Sequence, residues 1–172
     1  MALARRQRLR RVGILCCYAL GNLAFYRAWH EAGRPRAREQ FWVAANGNFA
    51  DIAVLEWCKL FADPRGSHYW AKVVTDHGAF SAGLLDSLQM TQQEFDAYIQ
   101  SMRHLRDKFI AHLDDELVFT LPQLDAAKAS TVFLYAHLLA HENHGGAYHD
   151  APPDADELYR IRLDEAAAVY QH

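Results

Sequence analysis

Apolar residues at helical spacing between Thr91 and Leu113 constrain the fold of this chain more than any other feature. Thr91 and Glu94 have the spacing of a capping box, in which a hydroxyl and a carboxylate satisfy exposed backbone amides at a helix start. The stripe that follows repeats every three or four residues: Phe95, Ile99, Met102, Leu105, Phe109 and Leu113. This pattern predicts an amphipathic helix that buries one face against other helices.

Three other segments have the residue pattern of long helices. The first spans about residues 9–32 and stops at Gly33, and the second spans about residues 36–61. The third starts at a capping-box spacing that begins with Thr120 and runs to about residue 141. Shorter helices are predicted for residues 68–74, 81–88 and 154–170. The whole pattern predicts an all-α fold, an antiparallel four- to five-helix bundle with a short C-terminal helical extension.

Charge is distributed unevenly along the chain. The length of 172 residues favours one domain, and the net charge of -3 gives no general reason to expect nucleic-acid binding. Residues 1–8 are nevertheless predicted to form a basic arm, and residues 150–172 an acidic C-terminal extension. The arm either steers RNA or is a solvated terminus, and the sequence leaves both interpretations open.

The cysteines and the N-terminal apolar stretch bear on localisation. Three cysteines, two of them adjacent at Cys16 and Cys17, do not make a disulfide framework, which favours a reducing compartment. Residues 12–20 imitate a secretory signal, but the helical pattern continues past them. Gly21 and Asn22 also interrupt the apolar run, which is short for a membrane span. We therefore expect a cytoplasmic protein that does not cross a membrane.

The helix predicted from Thr91 ends with an arginine, an acid and a histidine: Arg106, Asp107 and His112. A permanent cation for a phosphate and an imidazole for a proton are what phosphodiester cleavage needs. On an ideal helix, six residues separate Arg106 from His112 by about 9 Å along the axis and roughly 120° around it. The two side chains therefore act on one group only if the helix end unwinds or two copies of the chain face each other.

Arg106 falls within the apolar stripe, where a charge is costly unless it is paired or used. Asp51 and Glu56 are the candidate partners on another helix, and such a pair would indicate a structural role. Three neighbouring residues either extend a phosphate-binding surface or belong to a solvated face: Arg103, His104 and Lys108.

The stretch RDKFIAH at residues 106–112 resembles the R-(N/D/H)-x4-H signature of the HEPN superfamily (higher eukaryotes and prokaryotes nucleotide-binding domains). Members of that superfamily are four- or five-helix bundles with the signature on a late helix. Many are metal-independent ribonucleases, often toxins of defence or toxin–antitoxin systems. Residues 51–61 are also similar to uncharacterised bacterial members. The resemblance covers roughly residues 36–141.

The resemblance implies a role for each residue of the signature. Arg106 would bind and orient the scissile phosphate, and His112 would act as general base or acid in attack by the ribose 2′-OH. Asp107 would orient the site, and the product would carry a 2′,3′-cyclic phosphate without any cofactor. The expected partners are RNA, a second copy of the chain in a homodimer, and a cognate antitoxin protein. The alternative is a non-catalytic HEPN-like protein that binds another chain.

A histidine-rich segment supplies a second candidate site. His137 and His141 are one helical turn apart, a spacing that can place two imidazoles on one metal ion, and His144 or Asp150 is a candidate third ligand. The segment lacks the internal glutamate of the H-E-x-x-H motif. A metal-dependent helical enzyme is therefore the weaker alternative, and a polar helix end or adventitious metal binding explains the segment equally well.

Overall fold

The computed structural model describes residues 4–31, 34–35, 38–110, 122–143 and 146–170. Six α-helices occupy these ranges: α1 (Arg5–Ala28), α2 (Gln40–Phe61), α3 (His77–Leu88), α4 (Gln92–Leu105), α5 (Asp125–His137) and α6 (Ala155–Val169). A 3-10 turn (Trp70–Lys72) precedes α3, and a two-residue antiparallel ladder of β1 (His30–Glu31) and β2 (Arg34–Pro35) separates α1 from α2. The prediction of an all-α bundle is confirmed.

Two of the helices end in a π-helical turn, in which the backbone widens by one residue. Residues Arg106–Ile110 extend α4 in this way, and residues Leu138–Glu142 extend α5. Turns of this kind are rare and are often found at functional sites. Both candidate sites indicated by the sequence begin at or next to one of these turns.

Side-chain caps fix the starts of three helices. Asp76 accepts a hydrogen bond from the Ala79 amide at the start of α3, and Asp154 accepts from two amides at the start of α6. The predicted capping box at α4 is confirmed: the Glu94 amide donates to Thr91 Oγ1 over 3.2 Å, and the Thr91 amide donates to Glu94 Oε2 over 2.7 Å. Each such cap typically stabilises a helix by about 1 kcal/mol.

The core is centred on Trp57 of α2, whose side chain is 1% exposed. Its indole Nε1–H donates to Ser130 Oγ on α5 over 2.9 Å, and its ring stacks on Phe61 with the centroids 5.3 Å apart. Phe95 of α4 contacts the same ring edge-on. Trp57 therefore joins α2, α4 and α5, while the buried face of α1, including Leu20, closes the core from the other side.

Several predicted boundaries are wrong: α1 ends at Ala28 rather than at about residue 32, and α2 begins at Gln40 rather than at about residue 36. The starts of α1 and α5 also differ. The arginines expected in an N-terminal arm form the first turns of α1, which begins at Arg5 rather than at residue 9. Hydrogen bonds from Arg5 to Val73 and Glu142, both distant in the sequence, hold this first turn against the rest of the fold. Helix α5 begins at Asp125 with Leu124 as its N-cap residue, so Pro122 lies before the helix. Thr120, from which a start was predicted, lies outside the described residues.

No helix in the described part of the chain is long and apolar enough to cross a membrane.

Candidate functional site

Arg106 lies where α4 gives way to its π-helical turn. It is the C-cap residue of α4 and the first residue of the turn, and its side chain is 25% exposed. Although Arg106 continues the apolar stripe of α4 in sequence, its guanidinium group therefore remains in contact with solvent. The buried residues of the same stripe, such as Met102 and Leu105, instead pack in the core.

The guanidinium group of Arg106 is held by the next residue in the chain. Its Nε–H donates to Asp107 Oδ1 over 2.7 Å. This bond raises the pKa of Arg106, partial burial opposes the rise, and the negative charge of Asp63 adds to it. Arg106 is therefore a fixed cation. A guanidinium group has five N–H donors, of which the bond to Asp107 uses the one on Nε.

Cys58 lies close enough to Arg106 for the two to interact electrostatically, but it does not have the properties of a nucleophile. Its thiol is buried on α2 and donates to the Met102 carbonyl over 3.6 Å. Burial raises the pKa of Cys58 to about 12, although Arg106 and Arg103 act in the opposite direction. The thiol stays protonated near neutral pH, so acid–base or nucleophilic chemistry at this end of α4 needs another group.

Arg103 performs a structural task at the same place. Its Nη2 donates to the Ala62 carbonyl over 2.5 Å, and Nη1 donates to Gln100 Oε1 over 3.4 Å. Ala62 is the C-cap residue of α2, whose last carbonyls have no partner within their own helix. Arg103 thus fixes the end of α4 against the end of α2. His104 and Lys108, the other two residues predicted to extend a phosphate-binding surface, are exposed.

The two carboxylates predicted to pair with Arg106 do not do so among the contacts of the described residues. Glu56 Oε1 binds Lys59 Nζ at 2.7 Å instead, and Asp51 is an exposed residue of α2 whose pKa is raised by partial burial. Adjacent side chains diverge on a regular α-helix. The pairing of Arg106 with Asp107 occurs where that regular helix ends, which is why the sequence pattern did not indicate it.

His112, the predicted proton-transfer residue, lies outside the described residues. The spacing predicted between it and Arg106 assumed a regular α-helix through residue 112. The structure replaces that geometry over residues 106–110 with a π-helical turn. The sequence-based distance therefore does not apply to this segment.

The histidine-rich segment contains a buried carboxylate, Glu142, whose partners the sequence did not indicate. Glu142 is 2% exposed and ends the second π-helical turn. Its oxygens accept from the Thr75 amide over 2.5 Å, from Thr75 Oγ1 over 2.8 Å and from Arg5 Nη2 over 2.5 Å. Arg5 also donates to the Val73 carbonyl over 3.1 Å. No local pattern links residues so far apart in the sequence.

His137 and His141 adjoin this carboxylate, with their ring centroids 4.7 Å apart. The Nε2 atom of His137 lies 3.8 Å from Glu142 Oε1, and the same ring contacts Phe80 edge-on. Burial lowers the pKa of His137, the charge of His141 lowers it further, and Glu142 and Asp76 oppose both effects. Taken together, these surroundings favour the neutral form of the imidazole.

A metal site at these histidines is not supported by the described residues, among which no three metal-ligating side chains come together. The oxygens of Glu142, which lies 3.8 Å from His137, are already bound by Arg5 and Thr75. His144, the predicted third ligand, lies outside the described residues, and Asp150 binds His149 at 2.6 Å.

Comparison with known proteins adds no relative: no protein-family model, curated protein or solved structure matches this chain. The likeness to HEPN proteins therefore rests on the residues of the signature and on the all-α architecture.

Proposed function

We propose that this chain is an HEPN-like RNA-binding protein and a metal-independent endoribonuclease that uses Arg106 and His112. The observation that carries the proposal is the guanidinium group of Arg106, half-buried at a π-helical turn and fixed by Asp107 within a complete R-D-x4-H signature. A structural arginine would be expected to bind a carboxylate or carbonyl of another helix, as Arg103 and Arg5 do.

The arrangement suits a phosphodiester group. Asp107 holds the guanidinium through Nε, and the edge formed by the two Nη groups is a separate edge of that planar group. A pair of Nη–H donors can bind two phosphate oxygens in parallel, which fixes the phosphate as well as neutralising it. Asp107 is thereby the positioning residue that the signature implies, and Arg106 is the residue that touches the substrate.

The proposed reaction is transfer of the phosphate within the RNA chain. The ribose 2′-oxygen attacks phosphorus, and a general base takes the 2′-OH proton. The bond from phosphorus to the 5′-oxygen breaks, and a general acid protonates that oxygen, leaving a 2′,3′-cyclic phosphate. We assign His112 to one of these two proton transfers, and Arg106 to stabilisation of the charge that develops on the phosphate oxygens.

A second copy of the chain completes this site in our proposal. In a two-fold arrangement, Arg106 of one protomer faces His112 of its partner, and the Arg106 cations of both protomers contribute to one cleft. A shared cleft also supplies a local positive patch, which a chain of net charge -3 needs for RNA binding. Whether the enzyme belongs to a toxin–antitoxin pair or to another defence system is a further part of the proposal.

The test is cleavage of a mixed RNA pool in EDTA by the wild-type protein and by Arg106→Ala and His112→Ala variants. The matched control is Arg162→Ala, because Arg162 is likewise a partly exposed arginine that binds a nearby acid, Glu165, at 2.6 Å. We expect cyclic-phosphate products from the wild type and the control, and a loss of at least about 100-fold in both site variants.

Two results would contradict the proposal. A folded, dimeric wild-type protein that binds RNA without cleaving it would replace the nuclease with the non-catalytic alternative. Cleavage that survives in the Arg106→Ala variant would place the active site elsewhere. Mixing the two inactive variants gives a sharper test, because a site shared between protomers regains part of its activity in the mixed dimer, whereas a site within one chain does not.

A further inference from the structure

A cavity of about 270 Å³ lies between α1, α2 and α6, on a part of the molecule that the proposed nuclease site does not use. Aromatic rings from all three helical segments line it: Phe25 of α1, Trp42 and Phe49 of α2, and Tyr170 at the end of α6. Glu165 is the one charged residue among the described lining residues, and two aliphatic side chains of α6 complete the walls.

The four rings form two perpendicular pairs. Trp42 and Tyr170 have their centroids 5.2 Å apart at 71°, and Phe25 and Phe49 have theirs 5.2 Å apart at 61°. Trp42 and Phe49 are two helical turns apart on α2, so the pairs are separated by about 10 Å along the helix axis. Both pairs line the same cavity, so a small group bound there contacts aromatic surface from each pair.

The electrostatic character of these walls favours a cation. The face of an aromatic ring carries partial negative charge, and Trp is the strongest of the three aromatic residues in this respect. Glu165 adds a carboxylate at the edge of the cavity. Its Oε2 atom accepts a hydrogen bond from Arg162 over 2.6 Å, which partly offsets its negative charge. No lysine, arginine or histidine is among the described residues that line the cavity.

The apolar walls also restrict which cation fits. A primary ammonium group holds its water tightly, and rings and methyl groups offer no hydrogen-bond acceptors to replace that water. A quaternary ammonium group carries the same charge on a surface of methyl groups, which contact aromatic rings without such a loss. The aromatic rings and Glu165 thus match both the positive charge and the methyl surface of a quaternary ammonium group.

We infer that this cavity binds a quaternary ammonium group, between the Trp42–Tyr170 and Phe25–Phe49 ring pairs and beside Glu165. The group belongs either to a free small molecule or to a methylated lysine side chain, since both present the same trimethylammonium head. This inference does not depend on the proposed nuclease activity, because the cavity shares no residue with the end of α4.

The decisive measurement compares choline with 3,3-dimethylbutan-1-ol, which has the same shape but carries a carbon atom in place of the charged nitrogen. Dissociation constants are measured for both by ligand-observed NMR with the full chain. We expect choline to bind at least about tenfold more tightly, since the difference between the two reports the cation–π and carboxylate contributions. Equal affinity, or no binding of either compound, would overturn the inference.

Variants locate the site. Glu165→Gln is expected to weaken choline binding several-fold and to leave the neutral compound unchanged, whereas Trp42→Leu weakens both. Asp164→Asn, which removes a charge from the exposed neighbour of Glu165, is the control and should change neither. Circular dichroism of each variant shows that the helices are retained. Choline binding that survives both Glu165→Gln and Trp42→Leu would place the ligand elsewhere and overturn the assignment.

A third probe, Nε-trimethyl-lysine amide, separates the two sources of the group. If it binds as tightly as choline and unmodified lysine amide does not, the cavity accepts a methylated side chain. If choline binds and trimethyl-lysine does not, the rings enclose a free small molecule. Either result supports the quaternary ammonium site, because each requires recognition of the same charged head.

Discussion

The two π-helical turns in the described part of the chain contain ion pairs with opposite environments. At the end of α4, the Arg106–Asp107 pair joins neighbours in the chain and is partly exposed, with 25% of the Arg106 side chain in contact with solvent. At the end of α5, the Arg5–Glu142 pair joins residues 137 positions apart, and Glu142 is 2% exposed. The same backbone irregularity therefore presents a cation to solvent in one case and buries an anion in the other.

The difference between the turns lies in how completely the charged group is satisfied. Glu142 receives hydrogen bonds from an amide, a hydroxyl and a guanidinium group, so its oxygens are used within the fold. Arg106 has one bond within the fold, to its neighbour Asp107, among the contacts of the described residues. A saturated buried charge fixes the architecture, whereas a cation held from one side is suited to binding an anionic ligand.

The largest loss of stability is expected when the buried Arg5–Glu142 pair is removed. Glu142→Ala leaves the Thr75 amide and hydroxyl without their acceptor and removes the carboxylate that holds the start of α1 to the end of α5. We expect the free energy of unfolding to fall by about 3 kcal/mol, measured by urea denaturation. This figure allows for the 50% exposure of the Arg5 side chain, which water can solvate once Glu142 is lost.

The control for this prediction is Asp164→Ala, which removes an exposed acid from α6. It should change the free energy of unfolding by no more than about 0.5 kcal/mol. A loss below 1 kcal/mol in Glu142→Ala would show that the buried pair does not stabilise the fold more than the exposed one, and the contrast between the turns would disappear.

A smaller loss of stability is expected when either arginine at the end of α4 is replaced, and the loss should differ between Arg103 and Arg106. Arg103→Ala removes the hydrogen bond to the Ala62 carbonyl and should lower the free energy of unfolding by about 1.5 kcal/mol. Arg106→Ala removes a partly exposed ion pair, for which about 0.5 kcal/mol is expected. Denaturation of both variants under one set of conditions tests the order. The reverse order would indicate that Arg106 is the structural arginine and Arg103 the one available to a ligand.

The buried turn should also respond to pH through His137. Its pKa is lowered in the folded protein, chiefly by burial, so the fold favours the neutral imidazole over the protonated one. This preference contributes stability above the unfolded pKa of about 6.5, and the contribution is lost as the pH falls through the lower folded pKa. We expect the free energy of unfolding to decrease below about pH 6.5, and His137→Phe to reduce that decrease.

His141, Glu142 and Asp76 are the titratable groups that act on His137 from the elements packed around it. Below about pH 5, protonation of acids elsewhere adds its own destabilisation, so the comparison of His137→Phe with the wild type is made between pH 5 and 7. A wild-type stability that rises as the pH falls through this range would mean that attraction to Glu142 outweighs the cost of burial. The direction of the pKa shift would then be reversed.

The sequence predicted the architecture because amphipathic helices and caps are local patterns. The capping box of Thr91 and Glu94 and the end of α2 at Phe61 lie where the residues indicate. The start of α1 does not, because Arg5 is fixed by Glu142 and Val73, which the local pattern does not contain. The π-helical turns were missed for a similar reason, since a one-residue widening leaves the apolar spacing almost unchanged.

The sequence indicated which residues form the candidate site, but it did not indicate which side chains contact one another there. Arg106 and Asp107 were indicated by the signature, whereas their mutual bond was not, because adjacent side chains diverge on the regular helix that the apolar stripe predicts. Asp51 and Glu56 were reasonable partners on charge alone, yet α2 presents Asp51 to solvent and pairs Glu56 with Lys59. Which carboxylate meets an arginine depends on helix packing, and single sequences do not specify it.

The smallest effect is expected from treating the native protein with a reagent that alkylates thiols, because Cys58, near Arg106, is buried. Burial raises the pKa of Cys58 to about 12, so the thiolate that alkylating reagents attack is scarce at pH 8. We expect iodoacetamide to leave Cys58 unmodified in the native protein at pH 8 and to modify it fully in urea, as measured by peptide mass spectrometry. The proposed RNA cleavage should not be affected by this native treatment, because Cys58 is assigned no part in the proposed reaction. Rapid modification of Cys58 in the native protein would contradict this prediction. It would show that the end of α4 opens and that the adjoining arginines lower the pKa of the thiol more than burial raises it. Cys58 would then be a further candidate for the chemistry at Arg106.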